Sequence, residues 1–96
     1  MEIVWSKKAK YNFYTIRIYL EQFWNTKVTD KFTSDVINVL NLLAKNPWLG
    51  KYNEELQCRE ILITKRIKLY YEINEKHIIL IALSNNRQKP LRINDL

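Results

Sequence analysis

A single cysteine, Cys58, excludes an intramolecular disulfide and gives no sign of an oxidising compartment. A single glycine, Gly50, leaves nothing from which to build a glycine-rich phosphate loop. Cys58 and His77 each stand alone, so no Cys/His zinc pattern exists, and neither a metal nor a cofactor is expected. Only two prolines interrupt the chain, and most of it should therefore be helix or strand. No apolar run approaches the roughly 20 residues that cross a bilayer, so no membrane partner is expected. The opening Met1-Glu2-Ile3-Val4-Trp5-Ser6-Lys7-Lys8 lacks the apolar centre of a secretory signal, which predicts a cytoplasmic protein. Acids are also scarce, ten against sixteen lysines and arginines, for a net charge of +6. Much of the excess gathers late. From Arg59 to Arg92, eight bases oppose three acids. Such a surface suits an acidic partner, or serves only solubility.

What is present reads as one domain over residues 1–96. Glu2-Ile3-Val4-Trp5 is short, apolar and β-prone. Ser6 can cap the helix that follows, where Ala9, Phe13, Ile16, Leu20 and Phe23 recur at helical spacing. This helix is expected over residues 7–24. Asn25 and Thr26 supply turn and cap chemistry before a second helical series, Val28, Phe32, Val36, Val39, Leu40 and Leu43. Pro47 ends it. So short a loop predicts an antiparallel helical hairpin.

After a polar connection over residues 51–57 the period becomes two. Glu60-Ile61-Leu62-Ile63 reads as a strand. Ile67, Leu69, Tyr71 and Ile73 then alternate with Lys68, Tyr70 and Glu72. Ile78-Ile79-Leu80-Ile81-Ala82-Leu83 is apolar on both faces, as a central strand covered on both sides would be. The expected fold is α+β, in the order β-α-α-β-β-β, with the hairpin on one face of an antiparallel sheet. The other face needs a cover. Either a partner chain or second copy masks it, or the polar connection and the tail fold over it.

Metal-free RNA cleavage needs a base, an acid and cations for the phosphorane. Arg59, Lys65, Lys68 and Arg87 can supply the cations if the strands bring them together. Tyr70 is a candidate acid or base, and equally a packing residue. Cys58 and His77 read as strand-edge and turn residues rather than a nucleophile pair.

The order of elements, together with Trp5-Ser6-Lys7-Lys8-Ala9, Asn46-Pro47-Trp48-Leu49-Gly50, Arg59-Glu60-Ile61-Leu62-Ile63 and Asn86-Arg87-Gln88-Lys89-Pro90, resembles the RelE/ParE toxins of bacterial toxin–antitoxin systems. The resemblance implies a cognate antitoxin as partner, and a homo-oligomer or a hetero-oligomer with it. In RelE-like members, ribosome-dependent ribonucleases acting on mRNA, it implies a catalytic set that falls here on Arg59, Lys68 and Arg87. The second basic position of that pattern is Ile61, and the tail after Pro90 has no tyrosine or histidine. Those departures and the long helices direct the resemblance to the ParE-like branch, non-enzymatic inhibitors of DNA gyrase. Whichever branch applies, Lys65, Arg66, Tyr70, Lys89 and Arg92 are expected on a binding surface. A third reading is an inactive relative or a nucleic-acid-binding module. For the latter Trp24, Trp48 and Tyr52 are candidates to stack bases, helix-end packing being the commoner use of such residues.

Overall fold

The computed structural model describes residues 1–85. β1 (Glu2–Trp5) leads into α1 (Lys7–Phe23) and α2 (Thr26–Lys45). A 3₁₀ turn, Pro47–Leu49, precedes β2 (Lys51–Asn53), β3 (Cys58–Leu62), β4 (Ile67–Ile73) and β5 (His77–Asn85). The caps sit where side-chain chemistry places them. Ser6 Oγ accepts from the Ala9 amide at 3.0 Å, and Asn25 Oδ1 accepts from the Val28 amide at 2.9 Å. At the hairpin turn the Thr29 hydroxyl, buried, donates to Glu21 at 2.8 Å, and Thr26 donates to the same carboxylate.

The five strands form one sheet in the order β1-β5-β4-β3-β2. It is mixed, not purely antiparallel as the sequence suggested, because β1 runs parallel to β5. The other strands follow one another through short turns, which force antiparallel pairing. β1 reaches the sheet through the helical hairpin, so no turn dictates its direction. The Ser6 amide continues its ladder onto Leu80 O at 3.1 Å. Beyond that point, among the described residues, no strand pairs with β5 on this side, and Asn12 of α1 accepts from the Leu83 amide at 3.1 Å instead. The polar connection also differs from expectation, since it contains the edge strand β2.

The main core joins Ala9 of α1 and Phe32, Val36 and Leu43 of α2 to Leu69, Tyr71, Ile78, Leu80 and Leu83 of the sheet. Leu80 and Leu83 are three apart, which in an unbroken strand would send them to opposite faces. A register shift resolves this: Tyr70 pairs with Ala82 while Tyr71 pairs with Leu80, so Ile81 is the extra residue of a β-bulge. A second cluster covers part of the opposite face, with Leu56, Cys58, Tyr70 and Ala82 packed on Ile81. Of the covers expected for that face, the polar connection supplies Leu56. Its amide is held by Asn53 Oδ1 at 3.0 Å, and the following Gln57 takes a left-handed φ of 56°.

Gly50 lies where no side chain fits. A Cβ there would meet the Tyr71 hydroxyl at 2.5 Å and Glu60 O at 2.9 Å. Gly50→Ala is therefore expected to cost about 2–4 kcal/mol by forcing these groups apart. Urea denaturation beside an exposed control such as Lys51→Ala checks it, and a loss under about 1 kcal/mol would contradict this packing.

Candidate functional site

Tyr71 is fully buried, and its hydroxyl bridges the corner after α2. It donates to Pro47 O and accepts from the Gly50 amide, both at 2.8 Å. Directly across the strand pair, Arg59 donates to Gly50 O at 2.7 Å. Its guanidinium lies 4.9 Å from the Trp48 ring centre and 5.8 Å from that of Tyr52. Residues opposite each other in a ladder share a face. Arg59 therefore stands on the helix side of the sheet with Tyr71, clamped between two aromatic rings.

Alternation sends the neighbours of Arg59 the other way. The open face presents Cys58, Glu60 and Leu62 from β3, paired with Tyr70 and Lys68 of β4. Glu60 accepts from Lys68 at 3.4 Å and from Asn53 at 3.2 Å. A cleft of about 360 Å³ opens here, lined by Lys51, Lys65 and Lys68 around Glu60, with Ile61 and Leu62.

The structure thus sets Arg59 and Lys68 on opposite faces and does not bring them together. Lys65 and Arg66 are exposed in the β3–β4 turn. Tyr70 is buried in the second cluster, where burial first and then the Glu60 and Cys58 charges push its hydroxyl above the ordinary value. Burial likewise raises the Cys58 thiol. His77 faces Glu2 across β1 at 3.6 Å. Of the aromatics suggested for stacking, Trp48 and Tyr52 flank Arg59, whereas Trp24 lines a different groove. Arg87, Lys89 and Arg92 lie outside the described residues. Among the described residues no cluster of acids, histidines and cysteines could hold a metal.

That other groove, about 550 Å³, lies between the hairpin and the end of the sheet. Tyr19, Leu20, Trp24, Phe32, Ile63 and Ile67 form its apolar wall, and Lys31, Asp35, Lys65 and Arg66 are its charged members. Sequence reasoning did not single out Tyr71, Gly50 or the groove. The only available signal for the first two was the lone glycine after Pro47-Trp48-Leu49.

The model of the ParE toxin of type II toxin–antitoxin systems, parDE, matches residues 3–90. The chain belongs to this family. Its fold is that of solved toxins of low identity. A chain of the chromosomal ParDE TA system from P. aeruginosa is 16% identical with a TM-score of 0.75, over 88% of this chain and 95% of that one. A YoeB/ParE toxin from Agrobacterium tumefaciens is 10% identical at 0.65, over 88% and 98%. The chain of a YoeB dimer from Staphylococcus aureus is 18% identical at 0.61, over 88% and 94%. Comparison with curated proteins finds no match in sequence.

Two outcomes follow from this geometry. Arg59→Ala should cost about 1–3 kcal/mol, because it removes a charge-assisted hydrogen bond and the aromatic clamp. Lys68→Ala should cost less than about 1 kcal/mol, since its ion pair with Glu60 is partly open to water. Chemical denaturation of the two variants distinguishes them, and equal losses would contradict the assignment of faces.

A second outcome concerns pH. Tyr70, Tyr71 and Cys58 all have folded-state values raised above the unfolded ones. The folded state therefore retains protons that the unfolded state releases. Their contribution is complete below the ordinary values of 9.0 for Cys58 and 10.0 for the tyrosines, and declines as pH rises past them. Stability should fall in that alkaline range, less steeply in Tyr70→Phe. A slope unchanged by the substitution would show that Tyr70 has no part in it.

Proposed function

We propose that this toxin acts as a ParE-like inhibitor that binds DNA gyrase rather than as an RNA-cleaving enzyme, and that a cognate antitoxin neutralises it. The observation that carries this is the β3–β4 register. A phosphorane needs several cations converging on one point. Arg59 and Lys68 face opposite ways, and Arg59 is engaged by Gly50, Trp48 and Tyr52. On the open face β3 itself offers Cys58, Glu60 and Leu62, with no lysine or arginine, and the three lysines of the cleft there surround the Glu60 carboxylate. Lys68 is paired with Glu60, and the raised Tyr70 hydroxyl is poorly suited to proton transfer near neutrality.

The antitoxin reading draws on the groove between the hairpin and the sheet. Its wall is apolar, and three of its four charged members are basic. An amphipathic segment with an acidic face matches that combination. The likeness to a chain of the P. aeruginosa ParDE TA system supports the same partner class.

Induction without antitoxin, with DNA and protein synthesis followed separately by pulse labelling, tests the proposal. DNA synthesis should stop first, the purified chain should inhibit supercoiling by gyrase, and Lys68→Ala should remain toxic. Early arrest of translation with cleaved messages on ribosomes would overturn it, and would make Arg59, Lys68 and Arg87 candidates for a RelE-like active site. Absence of any growth effect from the folded chain would leave the inactive-relative or nucleic-acid-binding reading instead.

A further inference from the structure

The buried side of α1 carries Ala9 with Phe13, Ile16 and Leu20 packed around it. The side directly opposite would ordinarily be charged. Here its centre is Tyr11, Tyr14 and Ile18, which are 68%, 65% and 45% exposed. Lys7 and Glu21, both exposed, close the two ends of the same line. These five positions alternate by four and three, the spacing of a single coiled-coil seam.

The line is complementary to itself when reversed. Lys7 and Glu21 stand seven residues on either side of Tyr14. Tyr11 and Ile18 stand three before it and four after it. A second α1 laid antiparallel about a two-fold axis beside Tyr14 sets each Lys7 against a Glu21 and each Tyr11 against an Ile18. The Tyr14 rings then meet at the axis. Glu21 accepts from Thr26 and Thr29 through its two oxygens, and these bonds, with the Arg17 charge, lower its carboxyl and so keep it ionised opposite Lys7 of the second copy. A shallow cleft of about 320 Å³ between the helices, lined by Tyr14, Ile18, Glu21 and Asp30 among others, can take the ring of the opposing Tyr11. Lys10 and Arg17 share one flank, where like charges would meet across the axis. Arg17 is folded back, with its guanidinium 5.8 Å from the Phe13 ring centre, which draws that charge off the seam.

We infer that the outer face of α1 is a homodimer interface, in which a second copy of the chain packs antiparallel through Lys7, Tyr11, Tyr14, Ile18 and Glu21. Each exposed apolar side chain gains a cover, and the isologous two-fold arrangement closes without leaving a repeating edge. Two helices of 17 residues bury less than the ~1,600 Å² of a standard interface. The dimer is therefore weak, with a dissociation constant in about the micromolar range. This does not depend on which target the toxin has.

Sedimentation equilibrium of the purified full chain over a wide concentration range tests the inference. The wild type should show a reversible monomer–dimer equilibrium. Tyr14→Lys sets like charges together at the axis and should raise the dissociation constant at least ~10-fold, with the circular dichroism spectrum unchanged. Lys7→Glu opposes Glu21 with a like charge and should weaken the dimer. Adding Glu21→Lys to it restores opposite charges and should recover the association, a rescue that a merely structural role for either residue would not give. A wild type that stays monomeric at every concentration would overturn the inference. So would a dimer indifferent to Tyr14→Lys, which must use another face. A monomeric wild type whose antitoxin binding is lost in Tyr14→Lys would assign the stripe to a helix of that partner instead.

Discussion

The Tyr71 hydroxyl holds together segments that are remote in sequence. By bonding both Pro47 O and the Gly50 amide, it fixes the corner where the chain leaves α2 and enters the sheet. The same corner receives Arg59 from the paired strand. A buried hydroxyl with both its donor and acceptor used tolerates little displacement, since any slip leaves a polar group unsatisfied. The register of β3 against β4 is thereby set, and with it the face on which every charge of β3 appears. A slip of one residue would exchange the faces of Arg59 and Glu60. The site's chemistry is decided by this parity more than by the number of basic residues nearby.

Parity was the part of the site that the sequence concealed. Between Ile67 and Ile73 apolar and polar residues alternate and the strand forms over those residues, but Tyr70 is buried on the side the alternation left to solvent. In Arg59-Glu60-Ile61-Leu62-Ile63 the alternation is absent, because Arg59 lies on the covered face and Leu62 on the open one. Arginine reaches the covered face since its charge is met by a carbonyl and two aromatic rings, partners that become visible only when Trp48 and Tyr52 are brought beside it. The resemblance aligned Arg59, Lys68 and Arg87 by order along the chain, and order carries no information about side.

The helices were legible for the opposite reason. Their apolar spacing, the caps at Ser6 and Asn25 and the stop at Pro47 are local, and each acts within a few residues. The terminal strand β1 was legible as a strand but not in direction, because its partner β5 lies more than 70 residues away. The bulge at Ile81 escaped in a similar manner. A run apolar at every position from Ile78 to Leu83 looks the same whether or not one residue is extra. Of the two covers expected for the second face, a partner or the connection with the tail, the connection supplies a part through Leu56, which comes from a segment that looked wholly polar apart from it.

The layout also separates the surfaces on which the proposals rest. α1 lies on the sheet with its core side inward, so its stripe of Tyr11, Tyr14 and Ile18 points away from the sheet altogether. The face bearing Lys68 and Glu60 is the one the helices do not cover, and it looks in the opposite direction. A second copy packed on the stripe therefore leaves that face of both protomers accessible. It also keeps the basic β3–β4 turns clear of the two-fold axis, where two +6 chains would otherwise meet at their most positive points. Self-association of a strongly basic protein is least opposed where a lysine can find a glutamate, and on α1 the one acid stands at the far end of the seam from Lys7. Only a reversed second helix brings the two together.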